Sequence, residues 1–319
     1  MRSVTININN RCPLRCRHCS VGFSETYHGR RLPTDAGTID RIISSVDAQM
    51  YGLVILAGGE PSLNPDLIRA GIASARRRSL LISIVTAPIW AKTREAAKRF
   101  FDSIGTLDWL LLSYDVYHLE FLTNDHYYNA AAEAIARGSR VAFNVAHNGA
   151  DEREMLVRSL KDMRLPVAIW PSHVVIMGNA IENVGKANSL PVESVDDLAA
   201  LPRSCTIGNT YVDEKSQVHG CCWSSAGEHS PFVAQARDDS ASLRDAFTEL
   251  NDREIFQATL ANGFIGSLTP EGKKLVVQAV QGERFSCECD LCLHLMGRPH
   301  DEIWNECVTP QPVPAGNEP

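Results

Sequence analysis

The feature that most restricts the fold is a regular alternation of strand-like and helix-like segments through residue 176. Val4, Ile6 and Ile8 alternate with polar neighbours, as a strand does, whereas Ile39, Ile42, Ile43, Val46 and Met50 recur at helical spacing. Apolar runs at 53–57, 80–85, 109–112, 141–145 and 167–176 read as further strands, with helices at 64–78, 93–101, 129–137 and 152–163 between them. Strand–helix repeated about six times predicts an α/β fold, a parallel sheet with crossover helices. The near-continuous apolar character of the first strands suits a sheet covered by helices. Beyond Ala180 the rhythm stops, and helical stretches at 192–201 and 242–261 lie among irregular, cysteine-bearing segments. This places a domain boundary near Asn183, dividing a core at 1–183 from a smaller domain at 184–308. The proline-rich tail at 309–319 reads as disordered.

An apolar fraction of 44% over 319 residues is enough for a packed core. A net charge of −7 argues against a nucleic-acid partner. No stretch spans a bilayer; the nearest, 80–91, is interrupted by Ser83 and Thr86. Residues 1–10 lack the apolar centre of a signal peptide, so a cytoplasmic protein without membrane contact is expected. Ten cysteines in such a chain point to metal or catalysis rather than disulfides. Three lie between Cys12 and Cys19, and the other seven fall between Cys205 and Cys307, which reads as two sites.

The first group is Cys12-Pro13-Leu14-Arg15-Cys16-Arg17-His18-Cys19, a C-x3-C-x2-C spacing directly after the first strand. A four-iron cluster is commonly held by four cysteines; three leave one iron open, which a catalytic centre needs. A zinc site would require a fourth ligand, for which His18 is available on a crowded arc. Gly58-Gly59-Glu60-Pro61 closes the second strand. Its glycines either make a turn or let backbone approach a ligand closely, and Glu60 either opens a helix or serves that ligand. The two motifs together resemble those of the radical S-adenosylmethionine (SAM) superfamily. The resemblance implies a partial (βα)6 barrel and a [4Fe-4S] cluster on Cys12, Cys16 and Cys19. It further implies SAM chelated to the open iron, with Gly58, Gly59 and Glu60 at its methionine end. One electron, from a donor such as flavodoxin or ferredoxin, then cleaves SAM to a 5′-deoxyadenosyl radical. Open α/β sheets bind ligands at the C-terminal ends of their strands, which makes Ser113, Asp115 and Asn144, and more weakly Thr86, candidates for SAM contact. The alternative is that they form turns, and Asp115, near Tyr117, His118 and Glu120, has a substrate-facing alternative as well.

In the C-terminal third, Cys205 and Cys221 flank a hairpin-like segment at 206–220, and Cys287, Cys289 and Cys292 form a tight group. This layout, after Met177-Gly178-Asn179-Ala180, resembles the SPASM and twitch auxiliary-cluster domains, although the full SPASM pattern spreads more cysteines over a longer segment. The ligands expected for a second [4Fe-4S] cluster are Cys205, Cys221, Cys289 and Cys292. Cys287 is a rival, Cys222 an alternative to Cys221, and Cys307 a buried apolar residue. A structural zinc on the same four sulfurs is the competing occupant. On an extended segment Cys221 and Cys222 would face opposite ways. Cys222 then either packs beside Trp223 or acts catalytically, as a hydrogen-atom donor to the substrate. The activity expected is C–H modification of a ribosomally made peptide, by epimerisation, cross-linking or similar maturation. The alternatives are oxidation or rearrangement of a small metabolite or antibiotic sugar and, more remotely, a non-enzymatic metal protein. The chain starts at the first barrel strand, without the leader-binding module of many peptide modifiers.

Overall fold

The computed structural model describes residues 2–20, 35–185, 189–203, 205, 207–213, 217–221, 229–236 and 239–307. The core runs β1 (Arg2–Asn7), α1 (Ala36–Ser45), β2 (Tyr51–Ala57), α2 (Pro65–Arg77), β3 (Leu81–Thr86), α3 (Arg94–Ile104), β4 (Trp109–Ser113), α4 (Asn124–Ala136), β5 (Arg140–His147), α5 (Ala150–Asp162) and β6 (Ala168–His173). These strands lie side by side in chain order, all parallel, as the alternation predicts and as the partial barrel implied by the resemblance requires. The helices are set by their caps. Asp35 accepts the Thr38 amide at 2.7 Å and Thr93 accepts that of Ala96 at 3.2 Å, while Pro65 supplies a preset first turn. Helix α4 starts earlier than the spacing predicts, because Thr123 and His126 cap each other's backbone.

One large apolar core fills the space between helices and sheet, and a second, small cluster of Leu53, Ile55, Leu111 and Ala142 lines the opposite face. That inner face is where a barrel keeps room for a ligand.

The later elements are α6 (Ala180–Asn183), β7 (Leu190–Pro191), α7 (Val195–Ala200), β8 (Asn209–Val212), β9 (Val218–His219), β10 (Val233–Ala234), α8 (Ser240–Asp252), α9 (Glu254–Asn262), α10 (Phe264–Ser267), α11 (Pro270–Ala279), β11 (Arg284–Phe285), α12 (Glu288–Met296) and α13 (Asp301–Trp304). The sheet continues into this part of the chain: β8 pairs parallel with β1, and β9 and β10 follow antiparallel. The fully buried Tyr51 ties the two parts together. Its hydroxyl lies 3.1 Å from Thr210 Oγ1 and accepts from Asn251 Nδ2 at 3.2 Å and Arg2 Nη2 at 2.9 Å. The helix expected over 242–261 is split at Arg253, whose guanidinium donates to the carbonyls of Pro231 and Val233 at 2.8 Å each. The tail at 309–319 lies outside the described residues.

Candidate active site

The cysteine loop leaves β1 through a run of asparagines. Asn7 Nδ2 donates to Asn10 Oδ1 at 3.0 Å, and Asn9 Oδ1 accepts the Arg11 amide at 2.9 Å, an Asx turn. The loop is then zipped to the end of β2. The Gly59 amide donates to Asn9 O at 2.8 Å, the Glu60 amide to Arg11 O at 2.7 Å, and Asn9 Nδ2 to Glu60 O at 2.9 Å. A Cβ on Gly58 would lie 2.5 Å from Asn9 O, and one on Gly59 would lie 2.4 Å from Arg11 O. The close approach that these glycines permit is therefore, in the first place, to the cysteine loop. Gly178 clamps the loop's other end: at φ +57, its Cβ would meet Ser20 O at 2.4 Å and Cys19 O at 2.6 Å. Beside it the Asn179 amide donates to Cys19 O at 2.9 Å. The Met-Gly-Asn-Ala segment, read from sequence as a linker, thus shapes the first site.

Cys12, Cys16, Cys19, Gly58, Gly59, Glu60, Ser113 and Asn144 all line one cavity of about 480 Å³, of the size small-molecule sites take. Ser113 and Asn144 are register partners on β4 and β5. Thr86, the weaker candidate, lines it too. Burial pushes the Cys12 thiol up to about 12, and neighbouring Glu60, Cys16 and Cys19 add to the shift. A bound cation would offset that shift, and three thiols lining one cavity fit the cluster that their spacing implies. Glu60 is buried, and burial raises its carboxyl above the usual range. Its donors pull the other way: the Ser62 amide at 2.9 Å and Thr86 Oγ1 at 2.6 Å on one oxygen, and the Ala87 amide at 3.0 Å on the other. The side chain thus joins the ends of β2 and β3.

Asp115, expected beside SAM or substrate, does not line this cavity. It is buried beneath the cysteine loop, 2.8 Å from His118 Nδ1 and 3.2 Å from His18 Nε2, with Oδ1 accepting the amides of Tyr117 and His118. Burial works against its charge, but the two histidines hold the carboxyl well below the ordinary range. Burial alone would lower His118; Asp115, with Cys16, holds the imidazole up at about 10 instead. His18 stacks on Tyr117 at 4.5 Å. The ligand atoms of His18, Asp115 and His118 lie within 4.8 Å of one another, but at hydrogen-bonding separations, so they form a supporting network for the loop. His18 meets Asp115 through Nε2, while its Nδ1 has no partner among the described residues and its ring lines the cysteine cavity.

A second cavity is lined by Cys205, Cys221, Cys289 and Cys292. The β8–β9 hairpin brings the first two together, with the Gly208 amide donating to Gly220 O at 3.1 Å. Cys289 and Cys292 share one face of α12 through their i, i+3 spacing. Burial pushes Cys205 up to about 12 and raises Cys292, whose thiol also feels the other three sulfurs. Cys287 is fully buried outside this cavity, its sulfur accepting from Ser286 Oγ at 3.7 Å. Cys307 is buried elsewhere, against Ile303 O. Glu288, which no spacing rule singled out, lines the cavity and accepts the Ile265 amide at 2.8 Å. Cys222 lies outside the described residues.

The family model of the Radical SAM superfamily matches residues 6–168, just over half of the chain. YydG of Bacillus subtilis (strain 168), a protein named for peptide biosynthesis, is 20% identical over 310 residues, 91% of each chain. A structure of native anSMEcpe with bound AdoMet and Cp18Cys peptide superposes with a TM-score of 0.51 at 14% identity, over 85% of each chain. Among the described residues, no helix is long and apolar enough to cross a membrane.

Proposed function

The chain belongs to the radical SAM superfamily, and from that premise we propose that it abstracts a hydrogen atom from a C–H bond of a ribosomally made peptide. The family implies a [4Fe-4S] cluster and SAM, and the C-terminal cysteines fit a second cluster. When bound, the cluster and SAM supply the one-electron cleavage that generates the abstracting radical. Cys12, Cys16 and Cys19 are the proposed ligands of the first cluster. Gly58, Gly59, Glu60, Ser113 and Asn144 form the proposed walls of the SAM site, and Asp115 acts behind the loop by orienting His18 and His118. The apolar inner face of the barrel keeps water from a reactive intermediate. Residues 184–308 are the proposed auxiliary module, with Cys205, Cys221, Cys289 and Cys292 as its ligands. A flavodoxin- or ferredoxin-type protein is the proposed electron donor.

The single observation that carries the peptide reading is the near full-length likeness to YydG. Within it, Cys222 is the proposed hydrogen donor. Its thiol hydrogen passes to the substrate carbon that has lost one, which inverts that centre without net oxidation. The sulfur radical left behind takes one electron from the protein donor and one proton from solvent. The test is turnover, in deuterated water, of short synthetic peptides of the precursor class. One deuterium per modified residue, absent in Cys222→Ala although SAM is still cleaved, is expected. A product two hydrogens lighter and free of deuterium would replace epimerisation by dehydrogenation or cross-linking. A precursor peptide left unchanged while SAM is cleaved would sink the peptide reading.

A further inference from the structure

Strand β6 ends the sheet, and nothing among the described residues pairs with its outer side. Which of its backbone groups face outward follows from the ladder. The Val174 amide donates to His147 O at 3.1 Å, so in a parallel pair Ser172 and Trp170 also turn their backbone groups toward β5. Ile169, Pro171 and His173 therefore point their amide and carbonyl groups away from the sheet. Proline has no N–H to offer a ladder, and it sits at the position where none is used. A proline there discourages two copies of the edge from zipping together, yet leaves the donors and acceptors of Ile169 and His173 without a strand partner among the described residues.

The edge runs along the active-site cavity. Trp170, Pro171, Ser172 and His173 line the same space as Cys12, Cys16, Cys19 and Gly59. Trp170 is 44% exposed and packs 5.7 Å from Trp109, beside the inner-face cluster, while Ile169 packs on the helix side. Past His173 and Val174 the wall continues into a neighbouring cavity of about 280 Å³, bounded by Asn148, Ser189, Pro202 and Ser286. An extended segment laid on β6 would present alternate side chains to the SAM cavity and continue into the second one.

We propose that the outer edge of β6 is the docking site of the substrate, an extended peptide that adds to the sheet by hydrogen bonding to the backbone of Ile169, Pro171 and His173. This rests on the peptide reading of the function. Backbone pairing gives affinity largely independent of sequence, and the alternate side chains that enter the cavity give selectivity.

The probe is a randomised 12-residue peptide library, displayed on phage and panned against enzyme loaded with cluster and SAM, with enriched peptides resynthesised. Binding should slow hydrogen exchange at the amides of Ile169 and His173, which should exchange freely in the unbound enzyme. Ile169→Pro removes an outward donor and leaves the β5 ladder intact, so it should weaken peptide binding about tenfold. Iron content and thermal midpoint, matched to wild type, establish that the variant is folded; the exchange measurement on wild type needs no variant. Peptides that bind Ile169→Pro equally well and leave both amides unprotected would overturn the edge site. If those same peptides stimulate SAM cleavage, the peptide function stands without it. A library from which nothing binds and nothing stimulates cleavage would remove both. Protection of the two amides in the free enzyme, rising with protein concentration, would assign the edge to a second copy of the chain and overturn the proposal.

Discussion

The two cysteine sites are built in opposite ways. The first takes three thiols from one loop of eight residues, pinned at both ends by backbone contacts to Gly59 and Gly178, and it opens onto a cavity. The second gathers four thiols from three places in the chain, before β8, after β9 and on α12, in a cavity also lined by Ile207, Phe232, Phe264, Met296 and the Glu288 carboxylate. Three thiols and an adjoining cavity would leave coordination free for a reactant, whereas four thiols are enough to fill a metal centre. The difference teaches that the first arrangement leaves room for a reactant beside its thiols, whereas the second has enough thiols to complete a metal centre without one.

The largest expected effect separates the two. Replacing Cys12, Cys16 and Cys19 together by alanine should lower iron from about eight to about four per chain and abolish SAM cleavage. Retained cleavage would erase the distinction. Replacing Cys289 and Cys292 instead should remove the other four or so irons while SAM is still cleaved at the first site. Zinc at the second site in protein reconstituted with iron and sulfide would sharpen the contrast in an unexpected direction, making that site purely structural.

Gly59→Ala probes the pinning. A Cβ placed 2.4 Å from Arg11 O has only backbone to push against, so the cysteine loop must shift, at a cost of about 1–3 kcal/mol. Iron should be lost from the first site and kept at the second, read by the spectrum of each cluster in the two cysteine backgrounds. Equal loss from both would show that the loop is not set locally.

The smallest effect concerns acid. His147 and His173 face each other at 4.6 Å across β5 and β6, and His173 borders the first cavity. Burial, then His173 and Arg153, bring the His147 imidazole down to about 4. Unfolded, the same ring takes its proton near its ordinary 6.5, so the stability present above that pH is lost as pH falls toward about 4. Thermal midpoints should fall through that window, and His147→Asn should flatten the fall. An unchanged slope would mean that the ring is not held neutral.

The sequence by itself determined what short-range pattern can encode. The C-x3-C-x2-C spacing, the Gly-Gly-Glu turn and the strand–helix period are each written in consecutive residues, and they specify the α/β core and its cysteine loop. The four C-terminal cysteines were also legible, because a hairpin and one helical turn bring sulfurs together by local geometry. Only the tertiary structure decided the rest. Asp115 reads as a strand-end ligand, but the chain turns it under the loop, where His18 and His118 hold it. Gly58 and Gly59 read as room for a ligand, but the nearest atoms belong to Asn9 and Arg11, some fifty residues away. Met177-Gly178-Asn179-Ala180 reads as a connector and is a clamp on Cys19. Cys287 carries the same chemistry as Cys289 and differs only in the direction it faces. The physical reason is common to all four: residue type and spacing set what a group can do, while its partner is chosen by long-range packing, which pattern in one stretch of chain does not encode.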